Sequence, residues 1–314
     1  MQLIRGLHNL SPDERGRAVT IGNFDGVHIG HQAILASLRL SAQPLGMPST
    51  VVLFEPQPME FFLGDRAPAR LMRWHDKVEA LRHAGIDEVL VLRFDEAMRS
   101  LTAHDFVERV LAQGLGCRLL IIGDDFRFGC DRQGDFAYLQ KCASRYGYTV
   151  QDTPSVEIAG ERISSTLLRE ALTVADFERV YQCLGHNFVM SGRVVQGDQL
   201  GRTLGVPTAN ILLRRQVSPL QGVYAVKVRW QPGSDFYAVA NVGNRPTVAG
   251  QVPRLEVHLL DFSGDLYGKR LHVEFLCKLR EEHKFASLEA LKAAIAADIM
   301  QARKFFAQRA VKSL

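Results

Sequence analysis

The feature that most limits how this chain can fold is a change of rhythm near its middle. Up to about Leu184, short apolar runs alternate with segments whose apolar residues recur at helical spacing. "RAVTIGNF", "STVVLFEP", "EVLVLRF" and "RLLIIGDDF" read as strands. "IGHQAILASLRL", "RWHDKVEALRHAG" and "AHDFVERVLAQGLG" read as helices, the second of them ending at Gly85. Alternation of this kind predicts a mostly parallel, doubly wound α/β sheet. Beyond Leu184 strand follows strand: "VYAVKVRW", "FYAVANVG", "RLEVHLLDF" and "RLHVEFLCKL", separated by turn signals such as "QPGSD" and "SGD". Helical periodicity returns only in "SLEALKAAIAADIMQARKFFAQR", where Ser287 is the expected N-cap and Leu288, Leu291, Ile295 and Ile299 the expected apolar face. Strands closed by one helix predict a small β-barrel. The expected domains are 1–184 and 185–314, joined by "VADFERVYQCLGHNF".

Composition narrows the function classes. A chain of 314 residues has room for about two domains. Lys and Arg outnumber Asp and Glu only by 38 to 34, with no dense basic block, which argues against a nucleic-acid partner. The five cysteines, Cys117, Cys130, Cys142, Cys183 and Cys277, are odd in number and contain no C-x-x-C pair. Neither a disulfide framework nor a zinc site is expected, and reduced thiols are the default. "MQLIRGLHNL" lacks the apolar core of a signal peptide, and no apolar run approaches the roughly 20 residues of a membrane span. A soluble cytoplasmic protein with no membrane partner is the expectation; oligomeric state is not readable.

The stretch "TIGNFDGVHIGHQAIL" sets Gly22, Gly26 and Gly30 around His28 and His31 where the first helix begins. Unpaired backbone N–H groups and the helix dipole attract anions there, and glycine lets a phosphate approach the backbone closely. Two imidazoles three residues apart, on one face, can donate hydrogen bonds as charge develops on a phosphate. In an open α/β sheet that position lies beyond the carboxyl ends of the strands, where ligands bind. "GERISSTLLREAL" supplies a second phosphate cradle: the hydroxyls of Ser164, Ser165 and Thr166 at a helix start, with Arg169 one turn in.

The second half carries "GRVVQGDQLGRTLGVPTANI", in which Gly197, Gly201 and Gly205 recur every four residues. No G-K-[ST] follows, so it is not a Walker A loop. Thr208 and Asn210 in "PTAN" are two apart and share a side of an extended segment. A hydroxyl and an amide oxygen are hard ligands suited to Mg²⁺ held together with nucleotide phosphates. In "PRLEVHLLDF" one strand face is apolar and the other carries Glu256 and His258. Glu256 is the candidate general base if this half phosphorylates an alcohol; otherwise it is a solvated carboxylate on a barrel strand.

H-x-G-H with I-S-S-T-x-x-R resembles the nucleotidyltransferase superfamily. Class I aminoacyl-tRNA synthetases share H-x-G-H, but their K-M-S-K-S loop is absent. The longer matches "TIGNFDGVHIGHQ", "FEPQPMEFF", "GDDFRFG" and "RISSTLLREAL", with "PTAN", "GVYAV", "ANVGNRPT" and "LEVHLLDF", resemble the bacterial FAD synthetase family of bifunctional riboflavin kinase/FMN adenylyltransferases over nearly the whole chain. The resemblance implies an amino-terminal Rossmann-like nucleotidyltransferase domain that transfers AMP from ATP to FMN. It implies a carboxy-terminal riboflavin kinase barrel, with ATP, riboflavin and FMN as substrates and Mg²⁺ as cofactor. His28 and His31 are then catalytic. Gly22, Asn23, Phe24, Gly26, Gly30, Asp125, Ser164, Ser165, Thr166 and Arg169 meet ATP or its phosphates, as do Gly197, Gly201 and Gly205 in the barrel. Thr208 and Asn210 hold the metal, and Glu256 takes the proton of the riboflavin 5′-hydroxyl. Phe126 and Phe128 either face the flavin or form a buried aromatic pair. Two positions depart from the family. Gln57 replaces the histidine of F-E-P-H-P and cannot become cationic, and His186-Asn187-Phe188 stands where Arg-Pro-Tyr is usual. The competing readings are an adenylyltransferase with an inert barrel, and a flavin-binding protein without catalysis.

Overall fold

The computed structural model describes all residues except 14, 131, 198–204, 214–216, 248–249 and 313–314. The chain forms two compact units: Met1–Pro68 with Trp74–Ser165, and Ala69–Arg73 with Thr166–Leu314.

The first unit is built on six parallel strands: β1 (Gln2–Arg5), β2 (Arg17–Ile21), β3 (Ser49–Glu55), β4 (Glu88–Arg93), β5 (Cys117–Gly123) and β6 (Thr149–Thr153). Their order, β1-β4-β3-β2-β5-β6, is doubly wound as expected, and it reverses between β2 and β5. Every residue of β2 is buried, as a central strand covered on both faces must be. Helices α1 (Ile29–Ala42), α2 (Pro58–Leu63) and α3 (Trp74–His83) follow β2 and β3 in the chain. The segment read as one helix from Ala103 makes a single α-turn and then winds as a π-helix over Phe106–Gly114. The wider turn suits the sequence: Phe106 and Leu111, five apart, are both buried against the sheet with Val107 and Val110. Beyond β6, a short hairpin, β7 (Glu157–Ile158) with β8 (Glu161–Arg162), leads to the helix Ser165–Thr173.

The second unit is a closed antiparallel barrel of order β10-β13-β12-β11-β14-β9. Its strands are β9 (Val189–Val195), β10 (Ala209–Leu212), β11 (Gly222–Arg229), β12 (Phe236–Thr247), β13 (Gly250–Leu259) and β14 (Arg270–Arg280). Closure leaves no free sheet edge. Helix Phe177–Leu184 ends at Gly185 in the left-handed conformation, φ 78°. The closing helix, Leu288–Lys312, is capped as expected, with Ser287 Oγ accepting from Ala290 N–H at 3.2 Å. Its apolar face differs in part from the expectation. Leu291, Ile295 and Ile299 are half-buried as expected, but Leu288 is 51% exposed, and Ala302 and Phe306 join Ile299 against the barrel. Asp298 is buried on the same face because Arg280 of β14 grips both of its oxygens, at 2.8 and 2.9 Å.

Candidate active sites

The two loops that leave β2 and β5 flank the point where the strand order of the first unit reverses, the position at which open α/β sheets bind ligands. The loop after β2 is unusual in its backbone. Phe24, Gly26 and Val27 all have positive φ, 45°, 90° and 41°, although Phe24 and Val27 carry side chains. Such conformations cost of order 1 kcal/mol or more each and persist where the surroundings enforce them. Here the enforcement is visible. Phe24 and Val27 are buried, and three carbonyls of the loop are taken by protein donors. Asn23 O accepts from Lys77 Nζ at 2.6 Å, Asp25 O from Ser165 Oγ at 2.8 Å and Val27 O from Gln32 Nε2 at 2.9 Å. The hydroxyl of Ser165 thus ties the I-S-S-T segment to the histidine loop.

His28 is the N-cap of α1, and its Nδ1 accepts from His31 N–H at 3.3 Å. The lone pair is therefore on Nδ1, and the neutral ring keeps its proton on Nε2. The two imidazoles stack at 3.6 Å and 19°, with Phe24 4.9 Å from His31 on the next side. Burial pushes the His28 pKa down to about 4; the Arg162 guanidinium adds to the shift, while Asp25 and Asp125 oppose it. Burial holds His31 well below the usual imidazole range, with His28 and Lys77 adding to it. The pair is therefore neutral at neutral pH, and each ring keeps one N–H. His31 Nδ1 is buried with no hydrogen-bond partner.

The glycines divide by role. Gly26 supplies positive φ; Gly22 and Gly30 supply space, because a Cβ on Gly30 would lie 3.2 Å from the His28 ring and one on Gly22 3.1 Å from Phe24. After β5, Asp125 is exposed and pairs with Arg162 at 2.8 Å. Phe128 is buried against Phe106, and Phe126, partly exposed, stacks on it at 5.5 Å, so of the two only Phe126 offers a ring face. Gln57, at the end of β3, starts α2 in a capping box; its backbone N–H donates to Glu60 at 2.9 Å, and its buried Nε2 has no partner. Thr166 is exposed on the first turn of its helix, and Arg169 Nε donates to Ala69 O at 2.7 Å. Both belong to the second unit.

In the barrel, strand register assembles what the sequence left apart. Asn210 of β10 and Asn241 of β12 lie opposite Glu256 of β13, one on each side. Paired residues share a face, so the three side chains form one row across three strands. Arg254 and His258 continue the same face of β13, while Leu255, Val257 and Leu259 are buried on the other. Asn210 is only 8% exposed; its Nδ2 donates to Thr208 O at 3.4 Å, which leaves Oδ1 as an acceptor. Gly197 lies against it, where a Cβ would come within 2.4 Å of the amide. Gly205 has φ 76°; Gly201 lies outside the described residues. A cavity of about 510 Å³ beside Thr208 is lined by Pro207, Ala209 and the Phe262–Tyr267 loop. Among the described residues no three His, Cys, Asp or Glu side chains are grouped to hold a metal. Thr208 and Asn210 with nucleotide phosphates fit Mg²⁺, which needs few protein ligands and prefers oxygen.

Sequence reasoning missed Lys77, Asp25, Arg162, Asn241 and Arg254. Lys77 carried a signal: it lies four residues before buried Leu81, a charge on the apolar face of α3. Asn241 lies in the quoted segment "ANVGNRPT", but only its pairing with Glu256 sets it in the row.

A doubly wound sheet with paired histidines at its switch point, followed in the chain by a barrel bearing an Asn-Glu-Asn row, defines a two-module phosphate-transfer enzyme. Residues 10–167 match the FAD synthetase family model and residues 184–306 the riboflavin kinase model. The chain is 55% identical to the bifunctional riboflavin kinase/FMN adenylyltransferase of Pseudomonas fluorescens, over 99% of each. It is 50% identical to that of Haemophilus influenzae, over 98% of this chain and 99% of the relative. The crystal structure of a protein from Streptococcus pneumoniae described as a macrolide-efflux protein is 28% identical. It covers 96% of this chain and 99% of its own, with a TM-score of 0.81. That description is of the other protein; no helix among the described residues here is long and apolar enough to cross a membrane. The chain belongs to the bifunctional riboflavin kinase/FMN adenylyltransferase family.

Proposed function

We infer that the chain makes FAD from riboflavin in two ATP-dependent steps. Residues 185–314 transfer the γ-phosphate of ATP to the riboflavin 5′-hydroxyl, giving FMN and ADP. Residues 1–184 then transfer AMP from a second ATP to FMN, giving FAD and pyrophosphate. The observation that carries this reading is the succession of two family matches, 10–167 and 184–306, in one chain.

In the kinase step Glu256 accepts the proton of the 5′-hydroxyl as its oxygen attacks the γ-phosphorus and the bond to the β-phosphate oxygen breaks. Thr208 and Asn210 would hold Mg²⁺, supported by the amide oxygen of Asn210 in the row beside Glu256. Bound there with ATP, the ion supplies charge neutralisation to the phosphates. Gly197 keeps the space that the Asn210 amide occupies, and Gly197, Gly201 and Gly205 are the glycines assigned to ATP.

In the adenylyl step an FMN phosphate oxygen attacks the α-phosphorus, and the bond to the β-phosphate oxygen breaks as pyrophosphate leaves. No covalent enzyme intermediate is required. His28 donates from Nε2 to the α-phosphate oxygens, and His31 acts beside it; their neutral state keeps one donor proton on each ring. Gly22, Asn23, Phe24, Gly26 and Gly30 shape the loop that meets ATP. Ser164, Ser165, Thr166 and Arg169 hold its phosphates, Asp125 lies toward the nucleotide, and Phe126 offers the flavin a ring. Gln57 offers a neutral amide where the family pattern F-E-P-H-P has histidine. All five cysteines are free thiols, which supports a reducing, cytoplasmic setting.

The test is incubation with riboflavin, ATP and Mg²⁺, following flavins by chromatography. FMN followed by FAD is expected, and His28→Ala is expected to stop FAD formation while leaving FMN formation intact. Absence of FMN with FAD still made from supplied FMN would mean an inert barrel. No conversion of either flavin would overturn both assignments.

A further inference from the structure

The ladder between β10 and β13 stops at Ala209↔Val257, one rung short of Thr208. Continued by one rung, the register would set Thr208 opposite His258; continued by two, it would reach Pro207, which has no N–H to donate. At this end His258 substitutes a side chain for the missing backbone pairing: its Nδ1 lies 2.8 Å from Pro207 O. A carbonyl only accepts, so Nδ1 carries the proton and donates. The same strand presents Glu256 two residues earlier on the same face, and Glu256 is the cross-strand partner of Asn210. The segment bearing Thr208 is thus held to the strand of the candidate base at two points. One is the Asn210–Glu256 rung, and the other is the His258–Pro207 hydrogen bond.

We propose that His258 is a positioning residue of the phosphoryl-transfer site: its Nδ1–H fixes Pro207, and through it sets Thr208 and Asn210 relative to Glu256. This rests on the kinase reading above. The physical requirement is narrow. A group at the δ position of the side chain must donate one hydrogen bond; charge and the Nε2 atom play no part. Asparagine carries an amide N–H₂ at that position and glutamine carries it one bond further out, so the two variants separate the donor's location from its polarity.

The test uses the full chain with His258→Phe, His258→Asn and His258→Gln. His258→Phe is expected to lower kcat for FMN formation about 10-fold or more, the usual scale for residues that orient ligands from behind, with the riboflavin KM within twofold. His258→Asn is expected to restore most of that loss and His258→Gln little of it. Amide hydrogen exchange across residues 205–212, read without substrates, is expected to accelerate in His258→Phe and His258→Gln but not in His258→Asn. FAD formation from supplied FMN, unchanged in all three, serves as the control for folding. A kcat within twofold of wild type in His258→Phe overturns the proposal. If His258→Phe loses adenylylation too, the Asn and Gln variants decide, and equal kinase activities in those two overturn it. A wild-type chain that makes no FMN would sink the kinase reading itself, an outcome distinct from His258 variants that behave like an active wild type.

Discussion

His28 shows how much one side chain's surroundings change its chemistry. Free in an unfolded chain, an imidazole takes up a proton near pH 6.5; buried in this loop it does so only near pH 4. Between those values the unfolded chain binds more protons than the folded one. The stabilisation is therefore complete above about pH 6.5 and is lost as pH falls toward 4. From the two pKa values, His28 is expected to cost the fold about 2 kcal/mol between pH 7.5 and 5. Denaturant titrations at the two pH values check this: His28→Asn, which keeps an N-capping acceptor but does not titrate, should remove about that much of the pH dependence. Gly30 acts on the same ring. A methyl group 3.2 Å from His28 Nδ1 and Cε1 requires the ring to give by a few tenths of an ångström. Gly30→Ala is expected to slow FAD formation from supplied FMN about 10-fold or more, since small misplacements at reacting groups cost that much, with FMN formation unaffected.

Between elements, register and turn chemistry bring the barrel's polar row together. β10 contributes one residue to it, β13 one and β12 one, and each reaches the row because its neighbours in sequence are buried on the opposite face. Gly197 borders that row. Gly197→Ala is expected to abolish most FMN formation, measured with riboflavin and ATP, while adenylylation of supplied FMN continues. At the other end of the parallel sheet the same logic serves stability. Arg17 of β2 is 3% exposed; its Nε donates to Glu88 at 2.8 Å, and its other nitrogens donate to the backbone at Leu115 and Ser11. Removing one partner leaves a buried charge uncompensated, so Arg17→Met is expected to lower unfolding free energy by about 3 kcal/mol. Neither reaction's kcat should change, because the pair lies at the amino-terminal ends of the strands.

For the molecule as a whole, the two family matches follow one another along the chain, and the product of one reaction is the substrate of the other. Each can then fail alone. A mixture of His28→Ala and Asn210→Ala chains is expected to convert riboflavin to FAD, through FMN released by one and captured by the other. Neither variant alone should do so. Chromatography of the mixture against each single variant checks it; a silent mixture, with each partial activity retained, would mean that FMN does not pass freely between chains.

Most of the architecture was legible in the sequence, because helical period and strand alternation are set by neighbours within a few residues. The doubly wound order, the barrel and the cap at Ser287 all follow from such local patterns, as does the presence of H-I-G-H at a helix start. The exceptions are instructive. Leu288 obeys the helical period yet stays exposed, since period says which residues share a face and not how far along the helix a partner extends. Phe128 turned inward beside Phe106, a neighbour twenty-two residues away. Only the tertiary structure decided that both catalytic-candidate histidines are neutral, that Phe24 and Val27 are held at positive φ, and that Asn241 stands beside Glu256. Each depends on burial or pairing by residues distant in the chain: Arg162 near His28, Lys77 and Ser165 on the loop, and β12 against β13. Sequence by itself determined which chemical groups the chain owns and the local shapes that carry them. Their ionisation, strain and mutual distance were decided by packing, because those quantities are set by whatever the folded chain brings close.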